Sequence, residues 1–190
     1  MIHFTDFVFA APPRTGSTWF VQAAAEVGLR PGVVNRKHEQ FPDDHLQFPQ
    51  ETQGLRVSLV RHPYNWLMSY YLGLDGGAVN IKEVDVLVDL SRESKDLQTF
   101  LRRYVNEMPG TVTRIFDSYQ ANTILRLEDF PWSPIEFFAS LGVRRRDWSG
   151  IEDKAPVNFR KGKQPLVHPF LRRDVCGAEE EFCDRYEYVP

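Results

Sequence analysis

Short apolar runs ended by turn-forming residues alternate along the chain with segments whose apolar residues have helical spacing. The apolar runs predict strands at 6–11, 32–36, 56–60 and 123–127. The helical spacing predicts helices at 17–27, 63–74, 95–105, 112–120 and 133–142. This alternation favours an α/β fold with three layers and a mostly parallel central sheet.

Three further segments refine this prediction. Residues 40–54 contain several turn formers and are predicted to be a loop, whereas 75–93 fits either a helix or a loop with a short strand. The last helix has the clearest start, with Ser133 as the cap, Pro134 in the first position and Glu136 three residues after the cap.

Length and composition restrict the class of protein. A chain of 190 residues with 42% hydrophobic residues can bury one full core, so we expect a single domain over residues 1–190. A net charge of −3 argues against a nucleic-acid partner. No apolar stretch reaches the roughly 20 residues that span a bilayer, and no signal peptide is evident. We therefore expect a soluble, cytoplasmic protein without a membrane partner.

The two cysteines, Cys176 and Cys183, are seven residues apart. In one continuous helix they would be separated by about 10 Å along the axis, which is too far for a disulfide. Two thiols at this spacing also do not build a metal cluster. We expect a reducing compartment and no bound metal.

The most informative segment follows the first predicted strand and reads Pro-Pro-Arg-Thr-Gly-Ser-Thr-Trp over residues 12–19. A strand, a tight turn and a helix N-terminus direct backbone N–H groups and the positive end of the helix dipole at one point. Arg14 adds a full charge, so a phosphate-like anion is expected there. The alternative is an ordinary turn, with Ser17 as the N-cap and Arg14 solvated.

This segment differs from the usual nucleoside-triphosphate loop, G-x-x-x-x-G-K-[ST]. No lysine follows Gly16, and the cation, Arg14, precedes the glycine instead. A guanidinium can hold an oxyanion through two parallel hydrogen bonds, so Arg14 is suited to binding one.

Two later segments also carry cations. Arg61 ends the strand at 56–60, and Ser69 follows within the next helix, about two turns further on. A basic loop contains Arg160, Lys161 and Gly162. Each segment has an ordinary alternative. Arg61 would be solvated and Ser69 hydrogen-bonded to a neighbouring carbonyl, and the basic loop would be a solvated charged surface. Ligands of parallel sheets bind beyond the carboxyl ends of the strands, where these segments and residues 127–129 are expected to meet.

Taken together, the three segments resemble the sulfotransferases that use 3′-phosphoadenosine 5′-phosphosulfate (PAPS). That family has a P-loop-like strand–turn–helix, P-[KR]-[ST]-G-[ST]-T-W, which corresponds here to residues 13–19. Its arginine and serine eight residues apart, continued by S-Y-Y, correspond to Arg61 and residues 69–71. Its late R-K-G loop corresponds to residues 160–162, and its Y-E-D segment to residues 127–129.

The resemblance implies a sulfuryl transfer from PAPS to a small-molecule, carbohydrate or peptide acceptor, without a metal. It implies that the 5′-phosphosulfate is held by Arg14, Thr15, Gly16, Ser17 and Thr18, and the 3′-phosphate by Arg61, Ser69, Arg160, Lys161 and Gly162. Arg14 would also stabilise charge on the leaving oxygen. Trp19 either packs on the adenine or belongs to the core.

The general base is expected after the second strand. The family pattern K-x-H-x-P points to His38, although Lys37 is adjacent to it and one residue is missing; a second pattern, with glutamate before aromatic residues, points to Glu39. Histidine has the better ordinary pKa for this role. In the remaining alternative, both residues only line a loop.

Two departures from the family stand out. The late loop lacks the usual continuation G-D-W, and Leu127 replaces the tyrosine that often precedes E-D. Two other functions therefore stay open: a small P-loop nucleotide kinase, and a nucleotide-binding module without catalytic activity.

Overall fold

The computed structural model describes residues 2–34, 54–73, 82–144, 151 and 167–190. Within these residues the strands are β1 (Ile2–His3), β2 (Val8–Phe9), β3 (Val33–Val34), β4 (Arg56–Val60) and β5 (Thr123–Arg126). The helices are α1 (Ser17–Glu26), α2 (Pro63–Tyr71), α3 (Lys82–Glu93), α4 (Leu97–Glu107), α5 (Thr111–Asp117), α6 (Trp132–Ser140), α7 (Phe170–Ala178) and α8 (Glu180–Arg185).

The five strands form one sheet in the order β3-β1-β2-β4-β5. Strand β4 is parallel to both β2 and β5, with Val57 opposite Thr123 and Val60 opposite Arg126. Strand β1 is antiparallel to both of its neighbours, β2 and β3. Four strands therefore point in one direction, which confirms the predicted mixed α/β fold with a mostly parallel sheet.

Most predicted elements lie within a few residues of the observed ones. Strand β4 has the predicted bounds, and the undecided segment 75–93 is helical from Lys82. Strand β1 was not predicted, since a pair of residues is too short to show an alternating pattern. The predicted loop at 40–54 lies outside the described residues, except for Gly54.

The predicted cap of α6 is wrong. The helix begins at Trp132 with Pro131 as its N-cap, so Ser133 and Pro134 lie two positions further into the first turn than predicted. The hydroxyl of Ser133 donates to the backbone carbonyl of Arg126, 3.2 Å away, instead of closing the helix end.

The chain divides into two compact units. The first contains Met1–Val60 and Tyr119–Lys161, and the second contains Arg61–Ser118 and Gly162–Pro190. In the first unit α1 and α6 pack on the sheet, in a core that contains Phe7, Phe9, Phe20, Val57, Leu59, Leu125 and Phe138. On the opposite face, Val8 of β2, Ser58 and Val60 of β4, and Ala10 directly after β2 are buried as well. Both faces of β2 and β4 are therefore covered.

In the second unit, the regular secondary structure of the described residues consists of helices. A buried carboxylate, Glu179, joins three of its segments. Its oxygens accept hydrogen bonds from the Tyr104 hydroxyl on α4 and from the N-terminus of α5, at Val112 N (3.2 Å), Thr113 N (2.9 Å) and Thr113 Oγ1 (2.6 Å).

The geometry expected for the cysteines is wrong. Residues 176 and 183 do not share one helix, because the backbone leaves helical geometry at Glu179, between α7 and α8. The chain turns there, and the Cys176 and Cys183 side chains are hydrogen-bonded neighbours that do not form a disulfide.

Candidate anion-binding site

The turn between β2 and α1 is held firmly at its strand end. The Ala10 amide donates to the Val57 carbonyl at 3.1 Å, which extends the pairing with β4 beyond Phe9. Pro12 and Pro13 are buried. The backbone then takes a left-handed conformation at Arg14, with φ of 67°, and again at Gly16, with φ of 87°.

Two buried hydroxyl residues complete the turn. The Thr15 hydroxyl donates to the Pro12 carbonyl at 2.6 Å, so its proton is used inside the turn. Ser17 is 4% exposed and is the first residue of α1, while Gly16 is the N-cap. The alternative in which Ser17 caps the helix is therefore wrong. A glycine cap leaves the start of α1 without a side-chain cap.

The electrostatics of this helix end favour an anion. The first turn of α1, which the structure describes in full, contains no acidic residue. The partial positive charge of the helix N-terminus is therefore not compensated from within the helix. Arg14 is half-buried and adds a full positive charge to the same turn.

Gly16 is favoured by its surroundings as well as by its φ. A Cβ atom at this position would lie 2.5 Å from Leu127 Cδ1, at the end of β5. Contact at this distance forces Leu127 to move. Sequence analysis singled out residues 127–129 but had no signal for their approach to Gly16.

The three parallel strands β2, β4 and β5 end at the same edge of the sheet. The Arg14 turn follows β2, and a single 3₁₀ turn, Leu127–Asp129, follows β5. Within this segment Arg126 Nε forms an ion pair with Asp129 Oδ2 at 3.4 Å. The edge of the first unit thus carries a helix N-terminus, two arginines and a neighbouring acidic turn.

Trp19 occupies the core position that was one of its two predicted alternatives. The side chain is 2% exposed and its ring lies 4.8 Å from the Phe130 ring, centroid to centroid. A ring this deeply buried has almost no surface left for an adenine base.

In the second unit, Arg61 directly precedes a well-defined helix start. His62 is the N-cap of α2, and its Nδ1 accepts a hydrogen bond from the Tyr64 amide at 3.2 Å. Pro63 occupies the first helical position, where its missing N–H costs nothing. His62 is 2% exposed, and its imidazole is used inside the fold as the cap of α2.

Ser69 lies on α2, is half-buried, and follows Arg61 by about two helical turns, as predicted. The two tyrosines that follow Ser69 pack against other aromatic rings and hold α2 in place. Tyr70 stacks on Trp66 at 5.3 Å, and the Tyr71 ring lies 5.2 Å from Phe100.

Several predicted site residues lie outside the described residues. They are the candidate bases His38 and Glu39, and the basic loop Arg160, Lys161 and Gly162. Among the residues that the structure does describe, no group of three or more His, Cys, Asp or Glu side chains is arranged to hold a metal ion.

Comparisons with family models, with curated proteins and with solved structures each found no match. Of the helices in the described part of the chain, none has the length and hydrophobicity needed to cross a bilayer.

Proposed function

We propose that this chain is a sulfotransferase that moves a sulfuryl group from PAPS to a hydroxyl or amine of an acceptor. The observation that carries the proposal is the turn between β2 and α1. It combines a left-handed Arg14, a glycine N-cap and a helix start without acidic residues, in the sequence pattern that resembles this family.

The 5′-phosphosulfate is assigned to this turn. Backbone N–H groups at the start of α1 can donate to its oxygens, together with the Thr18 hydroxyl, while the guanidinium of Arg14 supplies the charge. Thr15 contributes only its amide, because its hydroxyl donates to Pro12.

Arg14 has a second task during transfer. The acceptor oxygen or nitrogen forms a bond to sulfur as the bond between sulfur and the 5′-phosphate oxygen breaks. Negative charge therefore grows on the departing phosphate, which a nearby guanidinium stabilises more strongly than it stabilises the intact donor. His38 or Glu39 is the proposed base that takes the acceptor proton.

The 3′-phosphate is assigned to Arg61 and Ser69. The capped start of α2 holds the backbone next to Arg61 in one conformation, and the packed side chains of Tyr70 and Tyr71 do the same around Ser69. Arg160, Lys161 and Gly162 are proposed to add to this group.

We also propose the finer architecture of a three-layer, P-loop-like domain. Its support is the parallel run β2-β4-β5, the turn and helix that follow β2, and the burial of both strand faces. Ligands of such sheets bind at the carboxyl ends of the strands.

Thermal unfolding with added nucleotide tests the proposal. The desulfated product, 3′-phosphoadenosine 5′-phosphate (PAP), should raise the Tm in proportion to the logarithm of its concentration, whereas ATP with Mg²⁺ should not. A larger shift with ATP and Mg²⁺ would favour the kinase and refute the proposal.

Radiolabelled sulfate transfer from PAPS to a panel of hydroxyl and amine acceptors then separates an enzyme from a binding module. Transfer that falls on Arg14→Ala and His38→Ala supports the proposed chemistry. A chain that binds PAP but transfers no sulfate to any acceptor is the inactive module.

A further inference from the structure

Two thiols and one imidazole meet inside the second unit. The Cys176 and Cys183 side chains are hydrogen-bonded to each other, and His62 Nε2 lies 3.6 Å from Cys176 Sγ. Their exposed fractions are 2% for Cys176, 5% for Cys183 and 2% for His62. The chain contains no other cysteine, so any disulfide within one molecule must join these two.

The orientation of His62 follows from its other contacts. Because Nδ1 accepts from the Tyr64 amide, the ring proton lies on Nε2, which is 3.1 Å from the Val189 carbonyl and faces Cys176. Cys176 is therefore placed between two hydrogen-bond donors, the Cys183 thiol and the imidazole. Hydrogen bonds donated to sulfur favour the thiolate form.

The groups around the pair shift the pKa values of the two cysteines in opposite directions. The hydrogen bond from Cys183, followed by His62 and the positive charge of Arg172, lowers the pKa of Cys176 despite its burial. The pKa of Cys183 is raised by the Cys176 sulfur, by burial and by the carboxylates of Glu179 and Asp184. One sulfur is thus the nucleophile and the other remains a thiol.

We propose that Cys176 and Cys183 are an oxidation site, at which hydrogen peroxide forms an intramolecular disulfide that a thiol reductant opens again. The Cys176 thiolate attacks the peroxide oxygen, the O–O bond breaks, and a sulfenic acid forms as hydroxide leaves. The sulfur of Cys183 then attacks Cys176, releasing water and closing the disulfide, its proton passing to the departing oxygen. The two thiols lose two electrons, which reduce the peroxide.

The site connects to α2 through His62, which loses its thiolate partner on oxidation while it still caps the helix that follows Arg61. We expect PAP to bind more weakly to the oxidised protein than to the reduced one. This coupling rests on the proposed function, whereas the disulfide itself does not.

The test exposes the folded, full-length chain to hydrogen peroxide together with a cyclic 1,3-diketone, which traps sulfenic acids. The wild type should lose both thiols and regain them with dithiothreitol, and a non-reducing digest should contain a 176–183 cross-linked peptide. Cys183→Ser should accumulate the trapped adduct on Cys176. The matched variant Cys176→Ser should leave Cys183 unmodified at the same dose.

The proposal is overturned if the wild type keeps both thiols, if the cross-links join separate molecules, or if the two variants react at equal rates. The wild-type measurement stands even where a variant fails to fold. PAP affinity, measured on reduced and oxidised wild type, tests the coupling, and equal affinities refute it. A disulfide in a protein that binds PAP in neither state refutes the proposed function and leaves the oxidation site established.

Discussion

Arg14 adopts a backbone conformation that an arginine rarely takes. A left-handed φ costs an L-residue other than glycine about 1–2 kcal/mol, and here the turn imposes φ of 67°. Glycine would fit this conformation at lower cost, so stability alone gives no reason for a long cationic side chain. Unfavourable backbone geometry of this kind is found at ligand-binding sites, which supports a functional role for the guanidinium.

Replacing Arg14 by glycine separates function from stability. Glycine removes the cost of the left-handed conformation in the folded state, but it also increases the conformational entropy of the unfolded chain. Because these two effects oppose each other, the free energy of unfolding should change by less than about 1 kcal/mol. Affinity for PAP should fall roughly 10- to 100-fold, as expected when a charged hydrogen bond is lost. Denaturant titration and calorimetry measure the two effects.

Gln120→Gly is the matched control, because Gln120 also has a positive φ, of 46°, and is exposed. It should have a similar effect on stability and none on PAP affinity. A large loss of stability in Arg14→Gly with unchanged affinity would mean that Arg14 is structural.

Gly16 offers a second test at the residue scale. Gly16→Ala places a methyl group in a left-handed position and against Leu127, so it should destabilise the fold by more than the roughly 1 kcal/mol that the backbone term alone costs. Gly28→Ala is the control, since Gly28 has nearly the same φ, 86°, and nothing within 4 Å of its added Cβ. Chemical denaturation of both variants compares them.

A double-mutant cycle with Leu127→Ala isolates the contact. Truncation of Leu127 removes the atom that a Cβ at residue 16 would meet, so the two changes together should cost less than the sum of their separate effects. Additive effects, or equal losses in Gly16→Ala and Gly28→Ala, would show that Leu127 does not constrain the turn.

At the scale of elements, the sequence predicted those whose signals are local. Strand β4 is a short segment rich in Val and Leu, and α2 begins at a proline, so the predicted bounds of both elements are close to the observed ones. Strand β1 has only two residues and forms by pairing with distant segments. Ser133 had the right local pattern for a cap, but its hydroxyl donates to the carbonyl of Arg126, seven residues earlier and outside that pattern.

Glu179 shows how much a contact between elements contributes. Glu179→Ala leaves the buried donors at Tyr104, Val112 and Thr113 without their acceptor, and should lower the free energy of unfolding by about 3 kcal/mol. Denaturant titration with two spectroscopic probes measures the loss. Glu180→Ala, at the exposed neighbouring position, should change stability by less than about 0.5 kcal/mol. Similar values for the two variants would show that this carboxylate is dispensable.

At the scale of the whole molecule, buried tyrosines set the alkaline limit of stability. Burial raises the pKa of Tyr119, and burial together with the Glu179 carboxylate raises that of Tyr104. Above about pH 10 the unfolded chain releases both protons while the folded chain keeps them. Each tyrosine should therefore lower the free energy of unfolding by about 1.4 kcal/mol per pH unit as pH rises.

Tyr119→Phe removes one of these two contributions. Its stability should fall with pH above 10 by about 1.4 kcal/mol per unit less steeply than that of the wild type. Urea titrations between pH 9 and about pH 11 measure the slopes. Parallel curves for Tyr119→Phe and the wild type would contradict the account.

The part of the candidate site that lies in one continuous segment could be predicted from the sequence. The contacts between distant segments could not. Residues 12–19 revealed a strand, a turn and a helix start because all three lie in one stretch. The approach of Leu127 to Gly16 and the contact between His62 and Cys176 join segments more than 100 residues apart. Neither has a signal in local spacing. The positive φ of Arg14 was also not predictable, since arginine has no preference for it.

The proposed function requires that one nucleotide has its 5′ group bound by Arg14 and its 3′-phosphate bound by Arg61. Calorimetric titration of PAP, 5′-AMP and 3′-AMP into the wild type, Arg14→Gly and Arg61→Ala tests it most directly. We predict that Arg14→Gly weakens PAP and 5′-AMP but spares 3′-AMP, whereas Arg61→Ala weakens PAP and 3′-AMP but spares 5′-AMP. Absence of PAP binding to the wild type at millimolar concentration, or equal losses for all three nucleotides in both variants, would contradict it.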